Sequence, residues 1–183
     1  TMGKNDKIYV ASVHGDDQGY VTIDTYNTAN GLFSCRTTME TSKRYCYHYL
    51  HADSEGNIEM VAGRDVLYWL LGYSTDRGDL GFNYAFDGMR YWKLTQPFTG
   101  YAKTDITLAQ ATPSLYTKDD PLPSLTNNFA GDTYWDDRGR CHVLYMGSFL
   151  KPGEPENGTH LALIQGEQVV YDDVIFPNQS SQR

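Results

Sequence analysis

A β-hairpin pattern that occurs twice in the chain constrains the fold more than any other feature. Residues 49–61 and 132–145 each place an Asp-x-x-Gly turn between two runs rich in aromatic and β-branched residues. A turn of this composition between such runs is the sequence pattern of a β-hairpin. Because the turn and both flanking strands match, we expect the two segments to share one local structure. The matching pairs are Asp53 with Asp136, Gly56 with Gly139, Ile58 with Cys141, and Met60 with Val143.

The strand that follows the turn also occurs near the start of the chain. Residues 8–11 match 58–61 and 141–144, so in this alignment the chain opens inside a repeat, at the strand after the turn. This first unit therefore lacks the strand that precedes the turn. Its predicted strands are 8–14, 20–26 and 32–38, with turns at 16–19 and at Asn30-Gly31.

Two further units follow, separated by a long connection. The connection, residues 97–128, is rich in Thr, Pro and Asp and shows no periodicity. A loop of that length inside a compact domain is usually functional or mobile. No helix is predicted, because the best candidate, Thr104 to Ala111, is ended early by Pro113. The predicted strands are 45–53, 58–63, 82–86 and 90–95 in the second unit, and 129–136, 141–147, 159–164 and 168–176 in the third.

Repeated units of four short antiparallel strands are typical of a β-propeller or a similar radial array. Such a unit cannot bury both of its faces by itself, so each face needs a neighbouring unit. This explains why apolar residues occur at both odd and even positions along the strands. We therefore predict an all-β fold of propeller-type blades in a single domain. An ordinary β-sandwich whose turns are alike by chance is the alternative. The predicted domain is 1–183, with about three blades at 4–39, 44–96 and 127–177 and a long loop at 97–128.

The number of predicted blades raises the question of how the array is completed. Propellers have about four to eight blades, which is more than this chain supplies. Two alternatives follow: self-association with another copy, or pairing with the remaining blades of a larger chain.

Composition excludes several classes of partner. A net charge of −8 provides no electrostatic footprint for nucleic acid or for an anionic membrane. No apolar run approaches the roughly 20 residues that span a bilayer. Of the 3 cysteines, Cys35 and Cys46 are candidates for a disulfide, and Cys141 alternates with apolar neighbours and is predicted to be a buried thiol. No cofactor is expected, and no signal peptide is visible.

One segment resembles a known motif. Residues 85–92 are similar to the Asp box, the Ser-x-Asp-x-Gly-x-x-Trp turn of sialidase-like propellers, also called BNR repeats. Asp87 and Trp92 match in type and spacing, whereas Ala85 and Met89 replace the Ser and the Gly of the motif. Residues 74–78 match only its front half. The resemblance implies a propeller fold, an activity on carbohydrate, a secreted, periplasmic or cell-surface location, and a ligand site on the face opposite the turns.

This arrangement sorts the polar residues into two groups. Asp53, Asp87, Asp136 and Asp137 fall on the turn face, where we expect structural roles. The loops on the opposite face carry Arg, Tyr, His and Asp among aromatic residues, which suits the recognition of sugar rings, hydroxyls and uronate carboxylates. The candidate catalytic residues are His48, Arg64, Tyr73, Asp65 and Asp132, and the candidate substrate-binding residues are Arg44, Tyr45, Tyr47, Tyr68, Trp69 and Asn128.

The candidate residues favour different chemistries. A glycoside hydrolase needs two carboxylates, for which Asp65 and Asp132 are the best pair. A polysaccharide lyase needs a base, an acid and a cation for the uronate, which His48, Tyr73 and Arg64 match by type. A metal site is not expected, because His48 and His51 point to opposite faces of a regular strand.

Carbohydrate is therefore the expected partner, although an enzyme is not the only interpretation of these residues. The chain lacks the Arg-Ile-Pro motif of sialidases. A non-catalytic module that binds glycan or protein through the same face is the main alternative. A structural part of a larger enzyme is a third.

Overall fold

The structure is a computed structural model that describes residues 6–14, 20–40, 45–67, 84–96, 104–110, 129–147 and 158–177. Across these ranges the chain forms β-strands joined by turns. None of the described residues belongs to a helix with the length and apolarity that a membrane span requires. The strands are β1 Lys7–His14, β2 Tyr20–Asn27, β3 Phe33–Glu40, β4 Tyr45–Ala52, β5 Ile58–Leu67, β6 Tyr84–Leu94, β7 Thr104–Gln110, β8 Phe129–Trp135, β9 Arg140–Gly147, β10 Gly158–Gln165 and β11 Gln168–Pro177.

The strands form three antiparallel sheets in which neighbours in the chain are neighbours in the sheet. The first sheet has the order β1-β2-β3, the second β4-β5-β6-β7, and the third β8-β9-β10-β11. The prediction of an all-β fold built from separate four-stranded units is confirmed by the second and third sheets. The three sheets are consistent with propeller-like blades, which do not close into a ring within the described residues.

The predicted strands of the second unit need two corrections. Residues 82–86 and 90–95 were expected as separate strands, but 84–94 form the single strand β6, which pairs along β5. The fourth strand is β7, residues 104–110. These residues belong to the best helix candidate of the sequence and to the long connection for which no strand was predicted. Ile106 and Leu108 pack against the core between the second and third sheets, so tertiary packing overrides the local pattern.

The Asp-box interpretation of residues 85–92 is also wrong. These residues lie inside β6 and pair with β5, so they do not form a turn. Arg64 pairs with Gly88 and Asp65 with Phe86, which leaves Asp87 as the extra residue of a β-bulge. Trp92 is buried in the core between the first two sheets. The half-motif at 74–78 lies outside the described residues.

The first Asp-x-x-Gly turn is held by the carboxylate of Asp53. Its Oδ1 accepts hydrogen bonds from the backbone N–H groups of Glu55 and Asn57, both at 2.9 Å. The Gly56 N–H donates to the Asp53 carbonyl at 3.1 Å, and Gly56 takes φ +83°. That conformation favours glycine, which accounts for the spacing of the motif.

The second turn repeats this geometry around Asp136. Its Oδ1 accepts from the N–H groups of Arg138 at 3.0 Å and Arg140 at 2.9 Å, and Gly139 takes φ +70°. The Arg140 side chain and the His142 ring also contact Oδ2 of Asp136, at 2.7 and 3.1 Å. The predicted equivalence of the two hairpins is therefore confirmed, and both aspartates have the expected structural role.

Apolar residues of the second sheet alternate between two cores. Along β5, Ile58 and Met60 belong to one core and Val61 to the other, and all three are fully buried. Because each sheet buries its apolar face only against a neighbour, the second sheet is covered on both sides. The core shared with the first sheet contains Tyr9, Val21, Ile23, Tyr45, Ala52, Ile58, Met60, Ala62, Trp92 and Leu94. The core shared with the third contains Val61, Met89, Tyr91, Cys141, Val143, Tyr145, Ala162 and Ile164.

The predicted buried thiol is confirmed. Cys141 is a free cysteine in the core between the second and third sheets. Burial raises the pKa of the Cys141 thiol, and the nearby Glu59 carboxylate adds to the shift. The side chains of Cys35 and Cys46 lie outside the described part of the chain, so the disulfide stays a prediction.

Candidate functional site

Three of the predicted catalytic residues, His48, Arg64 and Asp65, lie at one end of the second sheet. Both Asp-x-x-Gly turns occupy the opposite end, since they join β4 to β5 and β8 to β9. His48 lies in the half of β4 that is remote from the turn, and Arg64 and Asp65 lie in that half of β5. Asp132 is the central residue of β8 and pairs with Leu144. β8 contacts both β4 and β5. These four backbone positions thus lie on contacting strands of two adjacent sheets, three of them toward the end remote from the turns.

A β-bulge interrupts β4 at the candidate site. Cys46 pairs with Gly63 and Tyr49 with Val61, so the two residues Tyr47 and His48 oppose the single residue Ala62. A bulge bends the strand and redirects its side chains, and bulges are frequent beside active sites. The bulge also interrupts the regular alternation of side chains along β4. The prediction that His48 and His51 point to opposite faces depends on that alternation.

A second bulge occurs at the equivalent place in the next sheet. Ala130 pairs with Tyr145 and Asp132 with Leu144, which leaves Gly131 as the extra residue of β8. The alignment of the two turns puts Gly131 at the position of His48. A glycine inside a strand pattern is a sequence signal for a bulge, so this feature was open to prediction.

A hydrogen bond joins the two bulged strands. The Tyr49 hydroxyl donates to the Gly131 carbonyl at 3.3 Å. Because Tyr49 follows His48 and Gly131 precedes Asp132, the bond holds the segments that carry the two candidate residues against each other. Sequence reasoning did not identify Tyr49 as a positioning group.

His48 has an unusual environment. Its Nε2 atom is buried and has no hydrogen-bond partner in the part of the chain that the structure describes. Burial lowers the pKa of His48 to about 4, against the opposing effect of a hydrogen bond with the Tyr45 backbone. The imidazole is therefore neutral at pH 7.

Asp132 is the one candidate carboxylate whose side chain is among those that the structure describes. The residue is exposed, and its Oδ1 accepts a hydrogen bond from the Thr133 N–H at 2.8 Å. Arg64 and Asp65 are placed by their backbone pairing alone, since their side chains are not among those described. Tyr73 lies outside the described residues.

Tyr45, predicted to bind substrate, is a core residue. Its ring is 3% exposed and meets Trp92 edge to face, with the ring centroids 4.8 Å apart. The Arg90 side chain donates to the Tyr45 hydroxyl at 3.5 Å. The ring therefore has no open face on which a sugar could stack. The Tyr47 side chain and the residues Arg44, Tyr68, Trp69 and Asn128 lie outside the described part.

A polar cluster that sequence reasoning missed lies between the second and third sheets. The buried Glu59 carboxylate accepts hydrogen bonds from Trp135 Nε1 at 2.6 Å and from Lys93 Nζ at 3.2 Å. His51 stacks on the Trp135 ring, with centroids 5.1 Å apart. Burial and the contact with Glu59 raise the pKa of the Tyr91 hydroxyl. A buried charge must be paired, so we assign this cluster to the packing of the sheets, near their turn end.

No group of three or more His, Cys, Asp or Glu side chains suited to a metal ion occurs among the residues that the structure describes. Comparison with protein-family models, with curated proteins and with solved structures finds no match. A functional assignment therefore has to be argued from the geometry.

Proposed function

We propose that the chain is a carbohydrate-active propeller protein, which acts on a polysaccharide or oligosaccharide at the end of the sheets remote from the Asp-x-x-Gly turns. The proposal depends on one observation above all: aligned bulges interrupt the adjacent strands β4 and β8, at Tyr47-His48 and at Gly131, and the Tyr49 hydroxyl links those two strands. The antiparallel sheets are consistent with the propeller-like blades that the sequence predicted.

Two reaction classes fit the residues at this end. In a hydrolase, one carboxylic acid protonates the glycosidic oxygen while a second carboxylate attacks the sugar or activates water. Asp132, with its exposed carboxylate, and Asp65 are the proposed pair. In a lyase, a base removes the proton next to the uronate carboxylate and the glycosidic C–O bond breaks without water. His48, Tyr73 and Arg64 are then the proposed base, acid and charge-neutralising group.

A panel of uronate-containing and neutral polysaccharides separates the two reactions. A lyase produces unsaturated products that absorb in the ultraviolet, whereas a hydrolase releases reducing ends without that absorbance. We expect Asp132→Asn to abolish hydrolysis, or His48→Gln to abolish elimination, while Asp137→Asn at the turn end leaves either activity intact. Full activity of both site variants would contradict the proposed location.

Glycan binding without catalysis is the second candidate, and the environment of His48 favours it. A histidine whose pKa is about 4 is a weak base at neutral pH, which argues against His48 as the base of an elimination. Retention of the protein on an immobilised glycan, with no product from any member of the panel, would select this alternative. Absence of both retention and product would contradict the carbohydrate proposal altogether.

A further inference from the structure

The outer face of the first sheet exposes apolar residues at positions that are buried in the second sheet. Ile8 and Val10 of β1 are 39% and 43% exposed. The repeat aligns them with Ile58 and Met60 of β5, which are fully buried because the first sheet covers them. The outer face of the first sheet therefore corresponds to the face of the second sheet that packs on the sheet before it.

The outer face of the third sheet corresponds instead to the face of the second sheet that packs on the sheet after it. Along β9, Cys141 and Val143 face the second sheet, whereas Leu144 lies on the other side and pairs with Leu161 of β10. Leu144 aligns with Val61, which the third sheet buries. The same outer face exposes Tyr134, Tyr171 and Phe176 at 65%, 44% and 67%.

Each outer face carries an exposed charged residue on its last strand. Arg36 lies on β3 across from Asp24, and its side chain is 55% exposed although it pairs with that carboxylate at 2.6 Å. Asp173 lies on β11 across from Leu161 and is exposed. Both strands are the last of their sheets, and the last strands β7 and β11 of the second and third sheets contact each other. The same stacking geometry would therefore bring Arg36 of one chain near Asp173 of another.

We propose that a second copy of this chain covers these faces, with the third sheet of each copy packed on the first sheet of the other. The contact would continue the stacking that already joins the three sheets of one chain. Two copies supply six sheets, which lies within the range of about four to eight that closes a propeller. A head-to-tail contact of this kind forms a ring when the rotation closes, so the expected assembly is a dimer. The inference does not depend on the proposed carbohydrate activity.

Sedimentation velocity and light scattering on the purified chain test the proposal. We expect the mass of two chains, with dissociation on dilution. Val10→Lys disables the outer face of the first sheet and Tyr171→Lys that of the third, so each variant alone is expected to be monomeric. Leu32→Lys is the matched control, because Leu32 is equally apolar and 64% exposed but lies in the turn between β2 and β3. Circular dichroism checks that each variant is folded.

Mixing the two variants distinguishes this arrangement from other dimers. The intact third sheet of the Val10→Lys chain can still pack on the intact first sheet of the Tyr171→Lys chain, so the mixture is expected to regain a dimer of lower affinity. A dimer that only one of the two substitutions disrupts would indicate a symmetric contact through one face and would overturn the proposal. A wild-type chain that stays monomeric, or that grows without limit, would overturn it as well.

Discussion

Asp53 and Asp136 each organise a turn with a single carboxylate. Each accepts two backbone N–H groups from the residues that follow it, and each is succeeded by a glycine with positive φ. Burial opposes ionisation of both carboxyls, but the hydrogen bonds prevail and the pKa of each lies below its ordinary value. At the scale of the residue, a short motif is therefore enough to fix both the conformation of the turn and its charge state.

Replacing Asp53 by Ala tests this role. Hydrogen bonds to a charged group contribute about 1.5–3 kcal/mol, so we expect Asp53→Ala to lower the free energy of unfolding by that amount at neutral pH. A group whose folded pKa is lowered stabilises the protein above its unfolded pKa, and the stabilisation is lost as the pH falls through the folded value. Denaturant titrations at neutral pH and in acid should therefore show a difference that shrinks in acid. Ser54→Ala, an exposed change in the same turn, is the control; an equal loss there would contradict the account.

His48 gives a pH dependence of its own. Its pKa is about 4 in the folded chain, against an ordinary value of 6.5. Between these values the unfolded chain binds a proton that the folded chain does not, so stability falls as the pH drops from about 6.5 to about 4, by up to about 3 kcal/mol. We expect His48→Gln to flatten the stability profile in this window. An unchanged slope in the variant would show that His48 is not the buried neutral group described above.

At the scale of the element, each strand is defined by what it packs against. The first and third units were predictable because turn residues flank every strand and the apolar positions alternate. In the second unit the pattern failed at β7, Thr104–Gln110, which was the best helix candidate but packs Ile106 and Leu108 against the core between two sheets. It failed again at 85–92, where the residues that resemble an Asp-box turn form a continuous strand with a bulge at Asp87.

The candidate site was predictable in part for the same physical reason. The order of strands and turns gives the end of the sheet at which a residue lies, so the location of His48 and Arg64 at the end remote from the turn followed from the sequence. Local irregularities decide what a side chain contacts there. The bulge at His48 and the burial of Tyr45 against Trp92 depend on neighbouring strands that no short motif specifies.

The contact between Glu59 and Trp135 tests the packing of the second sheet on the third. Trp135→Phe keeps an aromatic ring but removes the N–H that donates to the buried carboxylate. We expect a loss of about 1.5–3 kcal/mol in the free energy of unfolding, and a double-mutant cycle with Glu59→Gln should show that the two changes are coupled. Tyr134→Phe, on the exposed neighbour of Trp135, should cost little. Additive effects of the two core changes would contradict a direct contact.

At the scale of the whole molecule, three sheets stack so that the described apolar residues of the middle sheet are covered on both of its faces. The first and third sheets each retain one exposed apolar face. The face of the first sheet corresponds to one that packs on a preceding sheet, and the face of the third to one that packs on a following sheet. The stacking accounts for the presence of apolar residues on both parities of β5, and it is the basis of both the proposed site and the proposed dimer. A sandwich of two sheets would instead leave one side of β5 polar.

Nuclear Overhauser effects from neighbouring methyl groups of β5 test this stacking most directly. The account predicts that the Met60 methyl shows effects to residues of the first sheet, such as Tyr9 and Ile23, and that the Val61 methyls show effects to residues of the third, such as Val143. Effects from both residues to one and the same sheet would contradict it.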